Sequence, residues 1–331
     1  MPETKHTTAK KENEATSLPP DETTALYESF VAVARTRGVT PTPLIEAALV
    51  AEQLEGGEAK GFAVLDILKG WLDSFRPLAP SVVAELRQLY TVRLTYHSNA
   101  LEGNTLSQHE TEMVLSHGVT IGGKTLVEHL EVIGHRDALE YVEELATQET
   151  PIGEWELKNL HSLILRPVDQ ATGLNEAGRY RTLDVRAAGT EYVYPPHYLV
   201  PDLMAGFATW LNSEDAKALH PVEYASEAHF RFVTLHPFRD GNGRAARLLM
   251  NLCLLRAGYP ITVITNERRA QYMEALVYGQ SHDNDAAPLT RLVSEACRAS
   301  LVDYLSVLST AGDSRGRGAT FYRTVLAAPR P

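Results

Sequence analysis

Apolar residues recur at spacings of three and four along most of the chain, the period of a helix with one buried face. The plainest case is residues 81–96, where Val82, Leu86, Leu89, Val92 and Tyr96 form one stripe. The same spacing predicts helices over residues 43–53, 58–75, 154–165, 203–211, 224–235, 243–255, 267–277 and 287–308. Gly56-Gly57 stops the first, and Pro77 and Pro80 interrupt the chain after the second. Ser107-Gln108-His109-Glu110 and Thr125-Leu126-Val127-Glu128 have capping-box form, and the second opens a periodic run to about residue 144. One stretch reads as strand. Thr182 to Arg186, then Gly189, then Tyr192 to Tyr194 before Pro195-Pro196, predicts a small β-hairpin. The expected fold is mainly α with one small β-hairpin.

Length and charge narrow this picture. The 331 residues suffice for one large domain or two ordinary ones, with a core that needs no disulfide or metal staples. A polar stretch with Pro151 sets a soft boundary near residues 147–151. Residues 1–20 lack an apolar signal core and read as a disordered tail. The end of the chain reads as loop and flexible tail, with Phe321-Tyr322 and Val325-Leu326 able to dock. Cys253 and Cys297 lie far apart, away from metal-ligand spacing, which fits a reducing cytoplasm. No apolar run is long enough for a membrane span. The net charge of −11 argues against broad phosphate-backbone contact, so no nucleic-acid or membrane partner is expected. Helical faces such as residues 126–142 could serve a homodimer interface.

Two segments have the form of phosphate sites. Residues 118–125 fit the P-loop pattern and would make a nucleotide switch of Lys124 and Thr125. A P-loop needs a buried strand before it, and residues 112–117 read as a helix end. The second segment, from His236 to Arg247, is denser. Gly241 and Gly243 let consecutive N–H groups face an anion, and the following helix N-terminus adds its positive end. Asp240 is a hard oxygen ligand suited to Mg²⁺. Arg244 and Arg247 share a helix face and can clamp phosphate oxygens. His236 titrates near neutrality, as a general base needs. Phe238 reads as the loop's hydrophobic anchor.

His236-Pro237-Phe238-Arg239-Asp240-Gly241-Asn242-Gly243-Arg244-Ala245-Ala246-Arg247 resembles the signature of the Fic (Fido) family at every specified position. Gly178-Arg179-Tyr180-Arg181 and residues 185–194 resemble that family's flap. The resemblance implies a helical fold with a catalytic domain over residues 151–298, a regulatory segment over 21–150 and a C-terminal end over 299–331. It implies Mg²⁺-dependent transfer of AMP from ATP to a Ser, Thr or Tyr hydroxyl of a target protein. His236 would be the base and Asp240 would hold Mg²⁺. Gly241, Asn242, Gly243 and Arg244 would cradle phosphates, and Arg247 would take the distal one. Tyr272 and Gln280 would stand near the adenine. The flap, with Val185, Gly189 and Tyr192, would align the target. Lys at position 243 would mark the phosphorylating branch, and this chain has Gly.

Ser98-Asn99-Ala100-Leu101-Glu102-Gly103 resembles the family's inhibitory motif. By that resemblance Glu102, with Ser98 beside it, pairs with Arg247 and denies ATP its productive pose. The same glutamate would allow the alternative activity, removal of AMP from a modified protein.

Overall fold

The computed structural model describes residues 20–38, 40–55, 62–186 and 192–328. Among them run α1 (Pro20–Arg37), α2 (Pro41–Glu55), α3 (Ala63–Asp73), α4 (Pro80–Leu101), α5 (Gln108–His117), α6 (Leu126–Ala146) and α7 (Glu154–Thr172). They are followed by α8 (Val200–Leu211), α9 (Glu214–Lys217), α10 (Pro221–Leu235), α11 (Asn242–Arg256), α12 (Arg269–Ser281), α13 (Ala287–Thr310) and α14 (Ala319–Ala327). No helix among the described residues is long and apolar enough to cross a membrane.

The axis of the fold is α11, which is buried on every face from Arg244 to Leu254. Its apolar residues cover the faces between Arg244, Arg247 and Asn251, and these polar side chains are hydrogen-bonded inside, so the helix sits in the core rather than at a surface. It packs against α10, α6, α7 and α4. The strongest predicted stripe becomes α4, with Tyr90 buried where Leu89 was expected and Leu89 exposed, and the helix extends to Leu101 and so carries Ser98 into the core. Both predicted capping boxes form. Ser107 and Glu110 close the start of α5, and Thr125 and Glu128 close the start of α6.

Three regions depart from the sequence reading. No strand occurs among the described residues, so the expected hairpin at 182–194 is irregular chain there. Pro195 and Pro196 have no N–H to give a ladder. Arg181 links the two arms instead, donating from its guanidinium to Leu183 O (3.2 Å) and Pro195 O (2.5 Å). Gly189 lies outside the described residues, as do residues 1–19 of the expected tail. The second departure is the C-terminal end, which is not a flexible tail over residues 319–327. There α14 buries Phe321 and Tyr322 completely, edge-on to Phe75 and to α1 through Phe30 and Tyr27. The third is α1 itself. Among its described side chains Thr23, Tyr27, Phe30 and Ala34 are buried, a stripe broken up by the polar residues between them, which local pattern does not single out.

Candidate active site

The site forms where α10 ends and α11 begins. His236 closes α10 in the left-handed region, φ 49°, which turns the chain sharply. The loop to α11 is then pinned from inside. Phe238 is fully buried and stacks on His161 of α7, ring centroids 3.6 Å apart. The amide of Asn242 accepts from Phe238 N and donates to Phe238 O, both at 2.9 Å. His161 donates from Nε2 to Asp240 O (2.8 Å) and accepts Gly178 N–H at Nδ1 (3.0 Å). Burial drives that ring down to about 4, so it stays neutral in this tautomer. Arg181 donates from Nε to His236 O and from its backbone N–H to Pro237 O. Gly241 completes the turn at φ 74°, with His161 Nε2 only 3.2 Å from where a Cβ would stand.

His236 is half-buried beneath the ring of Tyr194, centroids 4.1 Å apart. Burial drives its pKa down to about 4, against an upward pull from the Val233 carbonyl. Its Nδ1 faces that carbonyl at 3.4 Å. With the proton on Nδ1, the lone pair stands on Nε2, the arrangement of a base that is ready at neutral pH.

Both motif arginines are nine-tenths or more buried, which a guanidinium tolerates only when paired. Arg244 donates to Glu131 Oε1 (3.0 Å) and Asp240 Oδ2 (3.3 Å), and its Nε is buried without a partner. Arg247 donates from Nε to Ser98 Oγ (3.0 Å) and from Nη2 to Ser98 O (2.8 Å) and Glu102 Oε1 (2.7 Å). Its Nη1 donates to Tyr272 OH (3.3 Å). Burial alone would lower the Arg247 pKa. Glu102 and Tyr272 outweigh it, and the pKa moves up.

Glu102 lies over the first turn of α11. A Cβ on Gly243 would meet Glu102 Oε1 at 2.2 Å, so only glycine admits the carboxylate there. That oxygen occupies the positive end of a helix beside a buried guanidinium, the place a phosphate oxygen would seek.

The structure therefore brings together His236, Asp240, Gly241, Gly243, Arg244, Arg247, Glu102 and Ser98. Asn242 is adjacent, but its side chain is spent on Phe238. Tyr272 is buried under Arg247 rather than open to a base. Gln280 is half-buried and donates to Thr234 Oγ1 at 3.4 Å. Tyr192 stands edge-on to Tyr194, whose ring covers His236, and Val185 lies on the other irregular arm. Lys124 and Thr125 belong elsewhere. Lys124 Nζ donates to Thr105 O (2.5 Å), Thr125 caps α6, and α5 rather than a strand precedes them. A P-loop is thus not formed. His161, Arg181 and Glu131 escaped the sequence reading. The one signal for Arg181 was its place in the Gly178–Arg181 segment, and lone residues such as His161 carry none.

Among the described residues no group of three metal-ligating side chains gathers. Asp240 is the one carboxylate of the loop and is exposed, with Oδ1 accepting Gly241 N–H (2.6 Å). One carboxylate suits Mg²⁺, which draws its other ligands from phosphates and water.

Comparisons with known proteins match this region. Residues 151–254 fit the Fic/DOC family. The chain is 38% identical over 210 residues to Protein adenylyltransferase Fic of Drosophila grimshawi, covering 63% of this chain and 42% of that one. It thus spans about two fifths of the length of such curated relatives. A Fic domain containing signaling protein from Bacteroides thetaiotaomicron superposes with a TM-score of 0.67 at 30% identity, over 74% of this chain and 97% of that one. Fic-1 from C. elegans superposes with a TM-score of 0.63 at 33% identity, over 73% of this chain and 70% of that one.

Proposed function

The chain belongs to the Fic/DOC family, and from that premise we propose that it transfers AMP from ATP to a hydroxyl side chain of a target protein, under restraint by Glu102. The carrying observation is the Glu102–Arg247 pair at 2.7 Å over the α11 N-terminus, an anion held where a phosphate would bind. The relatives named protein adenylyltransferase support the chemistry.

In this reading the N–H groups opening α11, with Arg244, take the inner phosphates, and Arg247 takes the outermost one. Asp240 would hold Mg²⁺, which would supply charge neutralisation on the phosphates. His236 Nε2 receives the proton of the incoming Ser, Thr or Tyr hydroxyl. That oxygen then bonds to the α-phosphorus as pyrophosphate departs. The irregular arms with Val185 and Tyr192 would align the target chain, and Tyr194 on the second arm stacks on His236. Placement supplies most of the catalysis in phosphoryl transfer. Glu102 acts against placement. While it occupies Arg247, the outer phosphate loses its partner and the α-phosphorus misses the line of attack.

The chemistry is tested by incubating Glu102→Gly protein with ATP labelled at either the α or the γ position. Label from the α position alone should enter protein, and adding His236→Ala should abolish it. Label from the γ position, or label that survives His236→Ala, would refute the reading.

A further inference from the structure

Arg247 is gripped from two sides, by two parts of the chain. One grip comes from α4, through Ser98 and Glu102. The other comes from the catalytic helices. Arg247 Nη1 donates to Tyr272 OH of α12, and the guanidinium carbon stands 5.7 Å from that ring's centroid. The Tyr272 oxygen lies 3.1 Å from His229 Nε2 of α10. Arg247 and Tyr272 are each 1% exposed and His229 0%.

The proton count in this trio is fixed. A guanidinium only donates, so the Tyr272 oxygen accepts and its own proton must go elsewhere. His229 Nε2 is the acceptor within reach. Burial, with the charge of Arg247 adding, lowers His229 to about 3, so the ring is neutral. Its proton then sits on Nδ1, which is buried and has no partner. An unpaired buried group is rare in folded proteins and calls for a reason. Here the ring's other nitrogen must present a lone pair to Tyr272.

We propose that Tyr272 and His229 are positioning residues that keep Arg247 aimed at the outer phosphate after Glu102 withdraws. This rests on the adenylyl-transfer reading and places Tyr272 on the arginine rather than on the base. Without the second grip, the contacts left to Arg247 would be those to Ser98, on the helix that carries the brake. His229 lies on α10, whose end is His236, so one helix sets both the base and the arginine's support.

The test uses the full chain carrying Glu102→Gly and His236→Ala, so that ATP binds without turnover. Calorimetric titration compares Mg–ATP with AMP, which lacks the outer phosphates. Tyr272→Phe and His229→Leu should each weaken ATP about tenfold and leave AMP within about twofold. His229→Gln, whose Oε1 can accept the phenol proton, should restore most of the ATP affinity. Unchanged ATP affinity in Tyr272→Phe, or equal loss of ATP and AMP, overturns the proposal. If the parent itself binds no ATP, the adenylyl-transfer reading falls instead. Crystal structures then decide the anchor. Arg247 kept on Tyr272 in Glu102→Gly, and displaced when Tyr272→Phe is added, supports it. An unmoved guanidinium in both overturns it.

Discussion

Replacing Glu102 with Gln keeps the side chain's shape and removes its charge, which isolates the ion pair from packing. Arg247 is 1% exposed and its bond to Glu102 Oε1 is 2.7 Å long. A hydrogen bond between charged groups of this kind contributes roughly 1.5–3 kcal/mol. The Glu102 side chain is 34% exposed, so solvent screening brings the figure to about 1–2 kcal/mol. At roughly 2–4 °C per kcal/mol, the ligand-free variant should melt about 2–8 °C below the parent. ATP should reverse the order of response. At about 100 times its Kd a ligand adds about 2.7 kcal/mol. The parent must surrender its ion pair before receiving that, and the variant has none to surrender. Thermal melts of Glu102→Gln and parent, both carrying His236→Ala to stop turnover, should therefore show the larger ATP-induced rise in the variant. A variant that melts with the parent and gains no more from ATP would refute the reasoning.

Further outcomes follow from the same geometry. His135 and His229 are lowered to about 3, and His161 and His236 to about 4, in each case first by burial. Unfolding lets these rings take up protons below about 6.5, so stability should be full above that pH and decline as pH falls toward 3–4. Acid melts that stay flat to pH 4 would contradict these assignments. The pH–rate profile should show no base titrating near 6.5, with activity persisting to about pH 5 where the fold holds. Lys124→Ala should leave ATP affinity within about twofold, since Lys124 serves Thr105, and a complete loss would revive the P-loop. Asn242→Ala should destabilise the protein by about 1–3 kcal/mol through the two Phe238 bonds. Unchanged stability with weakened ATP would place that amide on phosphate instead.

The helical body was legible because its buried faces repeat at 3–4 spacing, as in α4, and because capping boxes mark the starts of α5 and α6. The His236–Arg247 constellation was legible because the histidine, aspartate, glycines and arginines lie in one chain segment. What stayed hidden is tertiary. His161 reaches Asp240 O from 79 residues away, and His229 and Tyr272 meet only when α10 and α12 pack. The docking of α14 depends on Phe30, Phe75 and Phe321 finding one another, which no local pattern announces. The expected hairpin shows the reverse case. Alternation around residues 182–194 suggested a ladder, but the Pro195-Pro196 arm and the Arg181 links settle into irregular chain.

The central claim is that Glu102 restrains a site otherwise complete. Its most direct test is the initial rate of α-labelled AMP incorporation by the parent chain and by Glu102→Gly at equal concentration with Mg–ATP. If Glu102 is the restraint, the rate rises at least about tenfold, the counterpart of about 1.4 kcal/mol of restraint released. Equal rates in the two proteins would contradict it.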